Sequence, residues 1–212
     1  MKRGKLITIE GIEGAGKSTA LAFIKNYLLK EKKEVVWTRE PGGTPLAETL
    51  RKLILHPESA EVITADTELL LMFAGRAQHL QEVIMPALQA GRWVVSDRFV
   101  DASYAYQGGG RGVSIDRIKY LDEWIVGQCQ PDLTLLLDVE PALGEERAAK
   151  RGGEKDRIEQ EKNDFFKRVR DAYLQRAKQA PERMKIINAN LSLPEVEQQI
   201  KQVLEKWMIE QA

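Results

Sequence analysis

The chain has 212 residues, enough to bury a full core, and is most simply one domain. Its 32 basic and 32 acidic side chains cancel, which argues against a general binder of nucleic acid or anionic membranes; an anionic ligand would have to be met by arginines gathered locally. The single cysteine, Cys129, excludes an internal disulfide framework and a multi-cysteine zinc site, and no apolar run approaches the length of a membrane span or signal peptide, so a soluble cytoplasmic protein is expected.

Residues 5–10 read as a first strand and residues 17–32 as a first helix, with Leu21, Ile24 and Leu28 at helical spacing. Glu34-Val35-Val36-Trp37-Thr38 reads as a second strand, ending in the breaker-rich turn Arg39-Glu40-Pro41-Gly42-Gly43-Thr44. Thr44 is placed to cap a helix to about His56 that carries Arg51. Thr64 or Asp66 starts a long helix to about Ala90, which Pro86 is expected to end or kink. Residues 92–97 give a third strand, ending at Asp97. Tyr104-Ala105-Tyr106-Gln107 and the triple glycine 108–110 follow without an assigned element. Ser114 or Asp116 caps a helix to about Val126, and residues 132–138 form the clearest buried strand. Pro141 opens a helix with Arg147, Lys150 and Arg151, interrupted by the polar segment 152–157. A helix over 162–180, a strand over 183–188 and a helix over 193–210 complete the chain. The alternation predicts an α/β fold with five parallel strands and helices on both faces.

Gly11-Ile12-Glu13-Gly14-Ala15-Gly16-Lys17-Ser18 fits G-x-x-x-x-G-K-[ST], between a predicted strand and a predicted helix. In that setting main-chain N–H groups and the helix N-terminus cradle phosphates, Lys17 reaches the β- and γ-phosphates, and the Ser18 hydroxyl holds a magnesium ion. The motif calls for a nucleoside triphosphate without naming the reaction. Arg39, Arg51, Arg76 and Arg98 fall at strand ends or on helices beside them, so the topology gathers them at one sheet edge. Any one of them alone is more often a solvated charge. As a group they suit a second phosphate, through two-point guanidinium contacts. Asp97, directly after an apolar strand, fits the carboxylate that helps hold magnesium, with a helix cap as the plainer alternative.

These residues resemble the bacterial thymidylate kinases, nearly end to end. The likeness rests on residues 10–19, on Thr38-Arg39-Glu40-Pro41-Gly42-Gly43-Thr44, on Asp97-Arg98-Phe99 with Tyr104-Ala105-Tyr106-Gln107, on Arg111, and on Asp156-Arg157-Ile158-Glu159. It implies a P-loop NTPase fold of the nucleoside monophosphate kinase kind, transfer of phosphate from ATP to dTMP, a Mg2+ cofactor, and a homodimer. It further implies ATP contacts from Gly11, Ile12, Glu13, Gly14, Ala15, Gly16, Lys17, Ser18 and Thr19, with the metal on Ser18 and Asp97. Glu13 would accept from the deoxyribose 3′-hydroxyl. Arg39, Arg51 and Arg98 would surround the dTMP phosphate. Phe73 would stack on thymine, Arg76 would reach a thymine carbonyl, and Ser103 and Gln107 would lie near the base.

Members of one type carry a catalytic arginine where this chain has Gly14; the other type keeps basic residues in a lid, here about 147–160. That points to Arg147, Lys150, Arg151 and Arg157, with Arg151 favoured. In many members the stacking phenylalanine stands four residues before the arginine; here Met72 holds that position and Phe73 stands three before Arg76. The rival readings are a kinase for another monophosphate or for a deoxynucleoside, and a P-loop GTPase switch. No Asn-Lys-x-Asp guanine motif supports the switch.

Overall fold

The computed structural model describes residues 3–57, 62–152, 154 and 156–211, and of Arg151 the backbone alone. Five short strands pair in parallel as one sheet: β1 (Leu6–Glu10), β2 (Val35–Arg39), β3 (Trp93–Asp97), β4 (Leu133–Asp138) and β5 (Met184–Asn188), in the spatial order β2-β3-β1-β4-β5. β1 is buried throughout, because it lies inside the sheet with both faces covered. Leu6 and Val94 enter one core; Ile7, Ile9 and Val95, pointing the other way by strand alternation, enter the second.

The first core packs under α3 (Ala65–His79) and α4 (Met85–Gln89), the second against α1 (Lys17–Lys30), α8 (Asn163–Gln179) and α9 (Leu193–Glu210). Helix α2 (Pro45–Leu55) packs on α3, and Thr44 caps it by accepting from the Ala47 N–H at 3.2 Å. Thr64, rather than Asp66, caps α3. Pro86 does not stop the helical run. A π turn over Leu80–Ile84 shifts the hydrogen-bond register just before it, with Met85 N–H bonding back to Leu80 O, and the run continues to Gln89.

One helix went unread in the sequence. Val100–Ser103 (α5) continues as a π-helical turn over Tyr104–Gly110, taking in the triple glycine. Those glycines serve contact rather than turning. A Cβ on Gly109 would stand 2.6 Å from Ala172 Cβ and 2.8 Å from Arg168 O, and one on Gly110 would stand 2.5 Å from the Phe165 ring. Bare backbone thus lets this turn lie directly on α8. After α6 (Ile115–Leu121) and β4, helix α7 (Pro141–Arg151) leads back over the P-loop, its end marked by Gly152 at φ 70°.

The parallel register sets the site. Ile9 and Arg39 both pair with Asp97, so β1, β3 and β2 release their chains side by side at one carboxyl edge, where the loops to α1, α2 and α5 begin.

Candidate active site

At that edge the P-loop turns on Gly11, Gly14 and Gly16, all at positive φ. Gly14 is the tightest: a Cβ there would fall 1.9 Å from Gly144 O of α7. Ser18 and Thr19 open α1 with exposed side chains at its N-terminus. Lys17 Nζ donates to Gly11 O at 3.0 Å and Ile12 O at 2.9 Å, leaving one of its three donors. Burial, and after it the Arg98 guanidinium, lowers its ammonium to about 8.

Arg98 is the pivot of the site. Its φ of 64° lies in the left-handed region, uncommon for a side-chain-bearing residue. The surroundings over-determine it: its N–H donates to Ile9 O at 2.9 Å, its carbonyl accepts from Ser96 Oγ at 2.7 Å, and the next N–H, of Phe99, donates to Glu10 Oε1 at 2.8 Å. Its guanidinium donates to Glu13 and to Tyr106 Oη, and Tyr106 donates to Glu13 at 2.6 Å. Burial alone would raise the Glu13 carboxyl, but Arg98, Lys17 and the Tyr106 hydroxyl together hold it at about 2. Glu10 goes the other way. It is fully buried, and burial followed by the Asp101 carboxylate raises it to about 8, although Tyr173 Oη donates to it at 2.6 Å. Two buried polar atoms beside this centre lack a partner among the described residues: Asp97 Oδ1 and Arg98 Nε. An unspent carboxylate oxygen suits a cation and an unspent guanidinium N–H suits an anion.

A cleft runs from Glu13 and Arg98, and Arg51, Met72, Arg76, Ser103 and Gln107 also line it. Arg76, 3% exposed, is rigidly held: Nε donates to Glu40 at 2.7 Å, Nη1 to Ser103 Oγ at 3.0 Å and Nη2 to Phe99 O at 3.1 Å. Three of its five N–H groups are thereby spent, and two remain. Glu40 in turn meets His79 Nδ1 at 2.9 Å, and His79 Nε2 meets Thr38 Oγ1 at 2.6 Å, so a buried polar chain backs this wall. Sequence reading missed Glu40 and His79 as members of the site; neither stands in a spacing that signals burial.

Several expected residues sit elsewhere. Phe73 is 2% exposed within the core and does not line the cleft; the Arg76 guanidinium lies 4.6 Å from its ring centroid. Met72, one residue and about 100° earlier on the helix, forms the wall in its place. Arg39 is exposed and paired with Glu48 outside the cleft lining, whereas Arg51 lines the cleft and donates to Pro41 O at 3.0 Å. Arg157 donates to Ile54 O at 2.8 Å and to Glu68 at 2.5 Å, so its charge is engaged at the C-terminus of α2 and not over the P-loop. Arg147 donates to Ala189 O and Lys150 pairs with Glu146. The Arg151 side chain lies outside the described residues.

Among the described residues no cluster of three or more His, Cys, Asp or Glu is placed to hold a metal ion. Ser18 and Asp97 nevertheless fit Mg2+, which prefers one or two protein oxygens plus phosphate and water, and the partnerless Asp97 Oδ1 is such an oxygen. Among the described residues no helix is long and apolar enough to cross a membrane.

A family model described as thymidylate kinase matches residues 9–200. A thymidylate kinase of Ruthia magnifica subsp. Calyptogena magnifica is 56% identical over 205 residues, covering 97% of this chain and 99% of its own. One of Thiobacillus denitrificans is 54% identical over 202 residues, covering 95% and 97%. Among solved structures, a thymidylate kinase from Ehrlichia chaffeensis superposes with a TM-score of 0.76 at 32% identity, covering 95% of this chain and 99% of that one. With the P-loop, the five-stranded parallel sheet and the arginine-lined cleft already in place, these matches agree from end to end: the chain belongs to the thymidylate kinase family.

Proposed function

We propose that the P-loop and the adjoining cleft act as donor and acceptor sites of one phosphoryl transfer. The chain is a dTMP kinase: it transfers the γ-phosphoryl group of ATP to dTMP, giving dTDP. The observation that carries the two-site reading is the Glu13–Arg98–Tyr106 cluster, which belongs to the P-loop on one side and opens the cleft on the other.

In this reading the amides of Gly11 to Thr19 grip the triphosphate and Lys17 turns its ammonium from the loop carbonyls to the β- and γ-phosphates. Ser18 and Asp97 would hold Mg2+, which would supply positive charge against the phosphate oxygens. Arg98 and Arg51, which line the cleft, take the dTMP phosphate, joined by Arg39 once it leaves Glu48. The second ionisation of a phosphate monoester lies at about 6, so the attacking oxygen is already ionised at neutral pH and no general base is required. The residues instead juxtapose two anions and neutralise the charge that develops between them. Glu13, kept ionised by Arg98, accepts from the 3′-hydroxyl. Arg76 donates its two spare N–H groups to a thymine carbonyl, Ser103 and Gln107 border the base, and Met72 packs on its face.

Residues 147–160 act as a lid, with Arg151 as its candidate cation, since Arg157 is already engaged by Glu68 and Ile54 O. A homodimer would cover Leu70, Tyr120 and Trp124, which are 57%, 68% and 70% exposed on α3, α6 and the turn after it. We assign the reaction to the cytoplasm. The decisive experiment is a panel of nucleoside monophosphates offered with ATP and Mg2+, read as ADP formation. ADP release should require dTMP or a close analogue; ATP hydrolysis indifferent to any monophosphate would overturn the two-site reading.

A further inference from the structure

Glu68 carries no part of the P-loop chemistry, yet it is 1% exposed on α3 and faces two guanidinium groups and an amide from outside that helix. Its carboxylate accepts from Gln107 Nε2 at 2.7 Å, from Arg111 Nε at 3.2 Å and from Arg157 Nη2 at 2.5 Å. A carboxylate paired with two guanidinium groups accepts and does not donate. The amide of Gln107 is therefore obliged to turn its NH2 toward Glu68. Its carbonyl oxygen is the group left for the cleft, and among the described residues no donor reaches it. Arg76, fixed by Glu40 and Ser103, brings donors to the same cleft.

We propose that Glu68 is a positioning residue for acceptor selection: it locks the Gln107 amide so that the cleft offers an oxygen to the nucleobase edge. This rests on the reading that the cleft takes the acceptor's base. A pyrimidine with a ring N–H flanked by a carbonyl, as in thymine or uracil, matches an acceptor beside a donor. Cytosine brings a ring lone pair to the oxygen and an amino group to the guanidinium, so both contacts are mismatched. Selection of this kind stems from buried polar groups left unpaired by the wrong ligand, and it is lost when the amide is free to turn over.

The test is Glu68→Gln, whose amide can donate as well as accept and so releases the orientation of Gln107. The readout is the ratio of kcat/KM for dTMP to that for dCMP, with ATP and Mg2+. Both values come from one preparation, so the ratio is independent of the active fraction. A purely structural role would lower both values together. The ratio is expected to fall about tenfold or more, and Glu68→Asp, which keeps an acceptor-only group, should retain more of it. A folded Glu68→Gln enzyme with the wild-type ratio would overturn the proposal. Gln107→Leu is run in parallel. If it changes the ratio while Glu68→Gln does not, only the role of Glu68 falls; if Gln107→Leu leaves dTMP turnover untouched, the base-pocket reading falls with it. Should Glu68→Gln fail to fold, the side-chain amide protons of Gln107 in the wild-type, ligand-free protein decide the matter by NMR. Slow exchange with water supports the lock, and exchange at the rate of a free amide overturns it.

Discussion

Replacing Glu10 by glutamine should make this protein more stable near neutral pH than the wild type, and the gain should vanish in acid. Glu10 is fully buried, accepting from the Phe99 N–H and the Tyr173 hydroxyl. Burial, reinforced by Asp101, raises its carboxyl from 4.5 to about 8. The fold therefore prefers the protonated acid. Its contribution to stability is complete below 4.5 and is lost as pH rises through about 8, because the unfolded chain releases the proton earlier. Between about pH 5 and pH 7 that loss is about 2–3 kcal/mol. An amide has the same shape and cannot ionise; its oxygen still accepts from Phe99, and its NH2 donates to the Tyr173 oxygen once that hydroxyl has rotated. Urea unfolding of both proteins across this range should give stability curves that diverge by about that amount as pH rises. Parallel curves would refute the reasoning, and with it the claim that a neutral acid underpins the backbone of Phe99 and the strained turn at Arg98.

Four further outcomes follow from the site and its support. Arg98→Ala should lower kcat/KM for dTMP about 100-fold with little change in the KM for ATP; an unchanged value would remove Arg98 from the acceptor site. Lys17 sits at about 8 in the ligand-free protein, so ATP affinity should fall about tenfold per pH unit above that point, with proton uptake seen by calorimetry in buffers of different ionisation enthalpy; flat affinity to about pH 9 would contradict it. Met72→Ala should raise the KM for dTMP, whereas Phe73→Leu should cost about 1–3 kcal/mol of stability and leave that KM alone; the reverse pattern would restore Phe73 to the base. Gly109→Ala should destabilise by about 1–3 kcal/mol on denaturation, although helix propensity alone favours alanine; a stabilised variant would show that the contact with α8 is not tight.

What could be read in advance was what is local or repeated along the chain. A strand, a glycine loop and a helix stand consecutively at residues 6–30, and the parallel alternation then brings Arg39 and Asp97 into register beside them. Spacing from Arg76 could not choose between Met72 and Phe73, because it fixes neighbours on a helix but not which flank meets a cleft. The triple glycine reads as a breaker when α8 is out of sight, and as a contact surface once Ala172 and Phe165 lie over it. Buried carboxylates were the hardest. Glu10 meets Tyr173 across 163 positions, Glu68 meets Arg157 across 89, and Asp101 meets Arg183 across 82. Nothing near any of the three in the sequence distinguishes it from a surface charge.

The meeting of Gly14 with Gly144 has a mechanical consequence. Main chain rests on main chain there: a Cβ at Gly144 would also crowd Glu13 O, at 2.6 Å. No flexible side chain intervenes to absorb movement, so α7 cannot tilt without carrying the Glu13–Gly14 peptide with it. The pose of the helix and the shape of the P-loop thus form one degree of freedom. The same fit bars a long side chain from position 14.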